Sequence, residues 1–400
     1  MFFKRKETFA AQGNKFKKDS AQKPWKKYLY FSLIGLLLLL GFGLFRMGYI
    51  LDKISEKDGS IFSSLSNIIP LVGNDDVKGA EDGRINILLL GMRGANIPGG
   101  GLLADTIILV SLKPEENKIA LISFPRDLYV AAPSTGQKMK INSVHALGVE
   151  KGSGLEEMKK IVSQISGLPV HYAVSLNFVG FKQLIDTLGG LDVYLETAFY
   201  ETNQFVQGKE CGGEFILPAG NNHFDGETAL CYARARNNTS DFDRSKRQQV
   251  MLLALRDKMT SSGLLSDFGK INSILSVIGD NVKTDMDSGD MKNFYEEYAG
   301  MLTSAQRYQR VFENSEEGLL TSPADSGGAG YILIPRAGEG NYSQIQEVCA
   351  NIFTLPPQSD IQPVKQYFRP QPIASPEPEK KKKKDKDKDE EETKEEEDEK

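Results

Sequence analysis

Histidine and cysteine are scarce in this 400-residue sequence, which contains three of each. His145, His171 and His223 lie far apart along the chain, so no Ser-His-Asp or Cys-His arrangement is indicated and none of them is assigned a catalytic role. The cysteines do not have the spacing of metal ligands. The sequence therefore gives no support for a hydrolase of the serine or cysteine type.

The chain also lacks the net positive charge that is typical of nucleic-acid-binding proteins, because its formal net charge is −5 at pH 7. Its charges are concentrated at the two ends. Residues 1–27 are strongly basic, and residues 380–400 contain only Lys, Asp, Glu and one Thr. We predict no nucleic-acid partner, and we predict a disordered tail over residues 356–400, which is proline-rich and then charged.

No charge interrupts residues 28–45, and this run is long enough to span a bilayer. A signal peptide is the alternative, but the basic region is long and no small-x-small cleavage site follows before Arg46. We predict a transmembrane helix over residues 28–50 after a cytoplasmic N-terminus (1–27), by the positive-inside rule. We therefore predict a protein that is anchored in the cell membrane by a single pass, with its main domain outside the cytoplasm.

Cysteine usage in such an exported domain leaves two interpretations open. Cys211 and Cys231 could pair and leave Cys349 free, but the odd number does not decide the pairing. Cys231 lies in an apolar run, which favours a small core residue.

After a predicted juxtamembrane stalk (51–83), the pattern indicates one folded domain over residues 84–355, with its core motifs in 85–259. Strands alternate with helices, which predicts an α/β fold with helices layered on a largely parallel or mixed central sheet. The expected strands are 85–90, 105–112, 118–124, 172–176, 191–195 and 330–335. The expected helices are one through His145 that Asn142 could cap, 155–166, 179–188, 265–278, 291–302 and 342–353.

The stretch from residue 225 to 259 concentrates arginine between an apolar entry and an apolar exit. Arg234 and Arg236 lie two residues apart, which puts both guanidinium groups on one face if residues 231–236 are extended.

The second half of that stretch has helical spacing. Asp241, Arg244 and Gln248, with Arg247 alongside, share one face of a predicted helix. Arginines brought together repel one another unless an anion lies between them, and the arginine fork fits phosphate or carboxylate. A solvated helix face with charge pairs is the alternative to this phosphate site.

Further candidates lie in loops that follow predicted strands, where ligands bind in open α/β sheets. Arg126 follows the third strand because Pro125 disfavours helix there, and Lys140 and Asn142 lie in the next loop. Residues 91–104 form a glycine-rich loop that could approach an anion or simply be flexible, and no Gly-Lys-Ser/Thr follows to make it a nucleotide-binding loop. Asp105 at its end could supply an oxygen ligand for Mg²⁺ or pair with an arginine.

Seven segments in order resemble the LytR-CpsA-Psr family, whose domain was first labelled a cell envelope-related transcriptional attenuator. They are INILLLG (85–91), ADTIILVSL (104–112), SFPRDLYV (123–130), KIN (140–142), NFVGFKQLIDTLGGLDV (177–193), DGETALCYARAR (225–236) and DFDRSKRQQ (241–249).

The resemblance implies an α/β/α fold with a pocket for a polyprenyl (pyro)phosphate lipid. It implies transfer of a phospho-linked glycopolymer from that carrier onto peptidoglycan or another acceptor in the cell envelope. The positions that grip the phosphates are matched here by Arg126, Arg234, Arg236, Arg244 and Gln248. Asp105 matches a magnesium-associated aspartate, and Asp241 matches the acidic residue near Arg244, so these arginines and Asp241 are the expected catalytic residues.

Two positions depart from the family pattern. An aspartate is common shortly after the first strand, where this chain has Gly91, Met92, Arg93 and Gly94, and an arginine is common where it has Leu103. One carboxylate and one guanidinium of the pattern are therefore missing, which bears on metal dependence. A polyprenyl-pyrophosphate hydrolase and a non-catalytic lipid-phosphate-binding or envelope-binding protein are the alternative functions. The sequence does not indicate an oligomeric state.

Overall fold

The computed structural model describes residues 77–95, 100–204, 213–236, 238–264, 268–356 and 358. The basic N-terminus (1–27), the expected membrane span (28–50) and nearly all of the expected tail lie outside these residues. Within the described ranges, no helix is both long and apolar enough to cross a membrane.

A mixed sheet forms the centre of the domain, in the spatial order β11-β6-β1-β2-β3-β12. β1 is parallel to β6 and β3 is parallel to β12, while the other neighbours are antiparallel. The mixed sheet confirms the predicted α/β fold class. Its strands are β1 (Ile85–Met92), β2 (Ala104–Lys113), β3 (Lys118–Ser123), β6 (Tyr172–Asn177), β11 (Val282–Thr284) and β12 (Gln306–Val311).

Shorter strands pair two by two outside this sheet. The predicted strand at 191–195 is one of them, so it is present but does not join the central sheet. The pairs are β4 (Tyr129–Ala131) with β5 (Lys138–Lys140), β7 (Leu191–Leu195) with β10 (Gly220–Phe224), β8 (Phe199–Gln204) with β9 (Gly213–Leu217), and β13 (Leu320–Thr321) with β14 (Ile334–Pro335).

Helices cover both faces of the central sheet because its strands are apolar on both sides. Leu88 and Leu90 share a core with Met158 on one face, whereas Ile108 shares a smaller core with Leu253 on the other. The helices are α1 (Ile141–Glu150), α2 (Gly154–Ser166), α3 (Phe178–Thr187), α4 (Gly226–Arg234), α5 (Asp241–Ser261), α6 (Phe268–Ile278), α7 (Ser288–Tyr298), α8 (Met301–Ser304) and α9 (Ser343–Ala350).

Several local predictions were wrong. Residues 231–236 are not extended, because the Asp225 side chain accepts a hydrogen bond from the Thr228 N–H at 2.8 Å and caps α4, which continues to Arg234. Asn142 does not cap α1, which begins at Ile141 with Lys140 as its N-cap. The predicted helix at 291–302 is divided into α7 and α8, and the late strand is reduced to β14.

The described ends of the domain reach beyond its predicted bounds of 84 and 355. Val77 is fully buried in a core with Ile85, and the Lys78 N–H donates to the Tyr172 hydroxyl at 2.9 Å. At the other end, the Gln358 side chain accepts a hydrogen bond from the Val311 N–H on β12 at 2.9 Å. The folded part therefore includes residues that had been predicted to be stalk and tail.

The cysteines differ in state. Cys231 is buried, as expected of a small core residue, and it is disulfide-bonded. Cys349 is a free, buried thiol, and burial raises its pKa to about 12. Cys211 lies outside the described residues.

Candidate active site

Charged side chains from four parts of the chain meet where β3 ends and β2 begins, and one of them is Lys140 at the end of β5. The end of β3 lies beside the start of β2 because β2 runs antiparallel to both of its neighbours, β1 and β3. Arg126 follows β3, Asp105 lies at the start of β2, and Asp241 is the first residue of α5. We call the group the Arg126 cluster, which consists of Asp105, Arg126, Asp127, Lys140, Asp241 and Arg244.

Arg126 is the centre of this cluster because it faces three carboxylates. Its Nη1 donates to Asp105 Oδ1 at 3.0 Å, and its Nε lies 3.5 Å from Asp241 Oδ1 and 3.6 Å from Asp127 Oδ2. Burial favours a lower pKa for Arg126, but the charges of Asp241 and Asp105 outweigh it and raise the pKa. The guanidinium is therefore fixed as a cation in a half-buried position.

Arg244 is more deeply buried and binds Asp241 with both arms of its fork. Nη1 lies 2.7 Å from Asp241 Oδ1, Nη2 donates to Oδ2 at 3.1 Å, and Nη2 also donates to the Asp105 backbone carbonyl at 3.0 Å. Burial, together with the positive charges of Arg126 and Arg236, lowers the pKa of Arg244 to about 10 against the opposing effect of Asp241. At neutral pH the side chain stays charged, and an additional anion would relieve this repulsion.

The cluster also contains buried polar atoms that lack a hydrogen-bond partner within the described residues. These are Nε of Arg126, Nε of Arg244 and Asp241 Oδ1, the last of which is within ion-pair distance of both arginines but poorly aligned for a hydrogen bond. The Nε atoms of Arg126 and Arg244 therefore remain able to donate a hydrogen bond to an acceptor.

Arg234 and Arg236 diverge, because the helix ends between them. The Arg234 guanidinium lies over the Phe178 ring, 4.4 Å from its centroid, at the end of α4. Arg236 follows the helix, is exposed, and is close enough to repel Arg244. Arg234 therefore packs against the start of α3, whereas Arg236 is the one of the two that lies near Arg244.

Arg247 does not join the cluster. Its Nε donates to the Tyr232 carbonyl at 3.0 Å, and its Nη2 donates to the Ala235 carbonyl and to Thr239 Oγ1. The guanidinium therefore ties α5 to the segment that carries Arg234 and Arg236. Sequence spacing placed it on the phosphate face and did not reveal this positioning role.

Lys140, Asn142 and Gln248 have different surroundings. Lys140 Nζ donates to Asp127 Oδ1 at 2.7 Å and is part of the cluster. Asn142 is buried, and its backbone N–H donates to the Arg126 carbonyl at 3.3 Å, so it supports the loop that carries Arg126. Gln248 lies one turn after Arg244, half-buried, with its Nε2 3.5 Å from the Ala233 carbonyl.

An apolar cavity of about 270 Å³ lies between the sheet and helices α3, α4 and α5. The cavity adjoins the Arg126 cluster through α5, because the lining residue Gln248 is one turn from Arg244, whose Nη2 donates to the Asp105 carbonyl. Gly91 permits the close approach of Thr106, since an added Cβ would lie 2.8 Å from Thr106 Cβ. Most of the lining is hydrophobic, with Leu89, Ile108, Val174, Leu176, Phe178, Phe181, Leu230, Met251, Leu252 and Leu255.

The sequence did not identify these cavity residues one by one. The available signal was that residues 250–255 are all apolar, which a helix needs only if more than one of its faces is buried.

The donors that could hold a metal ion are few. Within the part of the chain that the structure covers, no group of three or more His, Cys, Asp or Glu side chains is arranged for one. Mg²⁺ commonly uses only one or two carboxylates together with substrate phosphates. Asp105 and Asp241 fit that mode, and Asp105 has the more exposed carboxylate (32% against 21%).

A model of the LytR_cpsA_psr family matches residues 54–316. This chain belongs to that family. Among its relatives, a protein of Bacillus cereus named polyisoprenyl-teichoic acid–peptidoglycan teichoic acid transferase TagU is 27% identical over 322 residues, which cover 78% of this chain and 95% of that protein. The Bacillus subtilis transferase of this type named TagV is 30% identical over 269 residues, which cover 66% of this chain and 65% of that protein.

The fold agrees with this membership. The crystal structure of B. subtilis TagV superposes with a TM-score of 0.51 and 27% sequence identity, and the match covers 68% of this chain and 98% of the TagV chain. A Streptococcus agalactiae protein, gbs0355, shares the fold with a TM-score of 0.54 at 22% identity, over 69% of this chain and 91% of its own.

Proposed function

We propose that this chain is a phosphotransferase that moves a phospho-linked glycopolymer from a polyprenyl pyrophosphate carrier to peptidoglycan or another acceptor in the cell envelope. The observation that carries the proposal is the apolar cavity next to the Arg126 cluster. One amphiphilic ligand could place its hydrocarbon chain in the cavity and its phosphates among the arginines. The relatives named as polyisoprenyl-teichoic acid transferases support the same substrate class.

The hydrocarbon part of the ligand supplies much of the affinity. Burying one apolar carbon is worth about 0.8 kcal/mol, so a five-carbon isoprene unit contributes about 4 kcal/mol. Arginine forks would hold the phosphates by charge-assisted hydrogen bonds, which the unsatisfied Nε atoms of Arg126 and Arg244 are able to donate.

The chemistry is a displacement at phosphorus. An acceptor hydroxyl oxygen bonds to the phosphorus that carries the polymer, and the bond from that phosphorus to the bridging oxygen breaks, so the carrier leaves as polyprenyl phosphate. Arg126, Arg236 and Arg244 stabilise the negative charge that develops on the leaving oxygen. The hydroxyl proton passes to a carboxylate of the cluster other than the proposed metal ligand Asp105, either Asp127 or Asp241.

Mg²⁺ is the proposed cofactor, with Asp105 as its protein ligand. When bound together with the substrate phosphates, the ion would supply further charge neutralisation. Arg126 already pairs with Asp105 Oδ1 at 3.0 Å, so the guanidinium and the ion would share this carboxylate.

The site is proposed to lie outside the cytoplasm, on a single-pass anchor at residues 28–50. The charge-free run after a basic N-terminus supports the anchor. The disulfide bond of Cys231 supports an oxidising compartment, because cytosolic thiols are kept reduced.

The test supplies the full chain in detergent with a polyprenyl-pyrophosphoryl glycopolymer, Mg²⁺ and peptidoglycan. Label on the peptidoglycan is the expected result. Released glycopolymer phosphate without labelled peptidoglycan would favour the hydrolase, and tight binding without turnover at every Mg²⁺ concentration would favour a binding protein. Either of these two outcomes would contradict transfer.

A further inference from the structure

Residues 330–335 run alongside the loop that carries Arg126. The Leu333 N–H donates to the Asp127 carbonyl at 2.9 Å, and the Tyr129 N–H donates to the Leu333 carbonyl at 2.8 Å. Leu128 and Leu333 form a parallel bridge. Tyr331 lies two residues before Leu333 on this segment.

Tyr331 is an exposed aromatic residue on this segment. Its side chain is 52% exposed. The Asn314 side-chain N–H donates to its hydroxyl at 3.3 Å. Burial raises the pKa of Tyr331, and the charges of Asp127 and Asp241 raise it further, so the hydroxyl stays protonated at neutral pH.

The hydrocarbon chain and the sugar of the proposed ligand lie on opposite sides of the Arg126 cluster. The hydrocarbon chain occupies the cavity, whose lining includes neither Tyr331 nor Asp127. The first sugar is bonded directly to the outer phosphate, so it has to emerge from the cluster on the side away from the cavity. Tyr331 is an aromatic ring on that solvent side.

An aromatic face suits a sugar ring. Its negative quadrupole attracts the row of C–H groups on one face of a pyranose, and stacking excludes water from both surfaces. A single exposed aromatic residue is ordinarily unremarkable. Here the ring is on the segment whose Leu333 N–H donates to the Asp127 carbonyl of the Arg126 cluster, and it falls beyond residue 316, where the match to the family model ends.

We propose that Tyr331 is a stacking platform for the first sugar of the polyprenyl-linked glycopolymer, and thereby a residue that determines which polymer is accepted. This inference rests on the proposed function, because it takes the phosphates to be bound by the Arg126 cluster. Tyr331 acts by holding the sugar and takes no part in bond making.

The test measures the affinity of the full chain, in detergent, for polyprenyl pyrophosphate and for the same lipid carrying one N-acetylhexosamine. Tyr331→Ala should weaken binding of the sugar-bearing lipid by roughly 3- to 10-fold, from the ordinary strength of an aromatic contact. It should leave the affinity for the sugar-free lipid unchanged. Tyr331→Phe keeps the ring and should bind both lipids as the unmodified chain does.

Tyr200→Ala is the matched control, because Tyr200 is 47% exposed, is hydrogen-bonded to Glu214, and lies on β8. Equal affinity of Tyr331→Ala and the unmodified chain for the sugar-bearing lipid would overturn the platform. An equal loss for both lipids, or a loss with Tyr331→Phe, would also overturn it. If the unmodified chain bound neither lipid, the proposed function itself would be wrong.

Discussion

Arg126 and Arg244 are bound by the protein's own carboxylates, and this limits how they can be tested. Removing one partner of a buried ion pair costs about 3–5 kcal/mol, because the other charge is left unpaired. Substitution of either arginine by alanine would therefore mix loss of binding with loss of stability. Arg236 is exposed, so its substitution should change ligand binding without the loss of stability that comes from breaking a buried ion pair.

Arg236→Ala should reduce the affinity for polyprenyl pyrophosphate about 10- to 100-fold, because a hydrogen bond to a charged group is worth about 1.5–3 kcal/mol. Its melting temperature should stay unchanged. Titration calorimetry and thermal unfolding measure the two quantities. Lys292→Ala removes an exposed cation on α7 and should alter neither. Unchanged affinity in Arg236→Ala would exclude Arg236 from the phosphate site.

Asp105→Asn tests the proposed metal ligand. The amide oxygen can still accept from Arg126, but it binds Mg²⁺ poorly. We expect added Mg²⁺ to strengthen pyrophosphate binding to the unmodified chain, and this gain should be lost in Asp105→Asn. Asp192→Asn, at a carboxylate that is 75% exposed on β7, is the control. The same Mg²⁺ dependence in Asp105→Asn would show that Asp105 is not the ligand.

At the scale of elements, helix α5 contributes to the Arg126 cluster, to the cavity and to the core. Arg244 points into the cluster, Gln248 and Leu252 line the cavity, and Gln249 is fully buried, with its Nε2 donating to Ser123 Oγ at 2.8 Å. Helical spacing predicted the face that carries Arg244 and Gln248. It could not show that Arg247 and Gln249 turn inward, because their partners are backbone carbonyls and a serine distant in sequence.

Val174 on β6 lines the cavity and is not a member of the Arg126 cluster. A substitution there therefore tests binding of the hydrocarbon chain separately from binding of the phosphates. Val174→Phe should fill part of the cavity and weaken binding of polyprenyl pyrophosphate by at least tenfold, about 1.4 kcal/mol. Binding of inorganic pyrophosphate should be unaffected. Both are measured by titration calorimetry.

Val174→Ala is the companion variant, since it enlarges the cavity at the same position. It should retain binding of both ligands. Full polyprenyl pyrophosphate affinity in Val174→Phe, with the fold intact by circular dichroism, would place the hydrocarbon chain elsewhere.

At the scale of the whole molecule, the apolar strands of the central sheet could be predicted from the sequence, but its polar edge strand β12 could not. β1, β2 and β3 have continuous apolar runs because both of their faces are covered. β12, with the sequence QRYQRV, was missed, because an edge strand is only half-buried and carries polar side chains. Its place in the sheet depends on parallel pairing with β3, from which it is separated by nearly 190 residues.

The stability of the fold should depend on buried histidine. Burial lowers the pKa of His145 and of His171, and the His171 Nδ1 accepts a hydrogen bond from the Asn86 N–H at 3.0 Å. Below the ordinary histidine pKa of about 6.5, the unfolded chain binds more protons than the folded chain. Stability should therefore fall as the pH drops below about 6.5.

His171→Asn keeps an acceptor for the Asn86 N–H but cannot titrate. The melting temperature of this variant should fall less than that of the unmodified chain between pH 7.5 and pH 5.5. His223→Asn, at a histidine that is 59% exposed, is the control. An identical fall in His171→Asn and the unmodified chain would show that His171 does not contribute.

The central claim is that one ligand occupies both the cavity and the Arg126 cluster. Photo-crosslinking of the full chain with a polyprenyl pyrophosphate that carries a diazirine near its hydrocarbon end tests this directly, with the attachment sites read by mass spectrometry. We expect labelling of cavity residues such as Phe181, Leu252 and Leu255, and competition by unlabelled polyprenyl pyrophosphate. Labelling confined to residues outside the cavity, with the same competition, would contradict it.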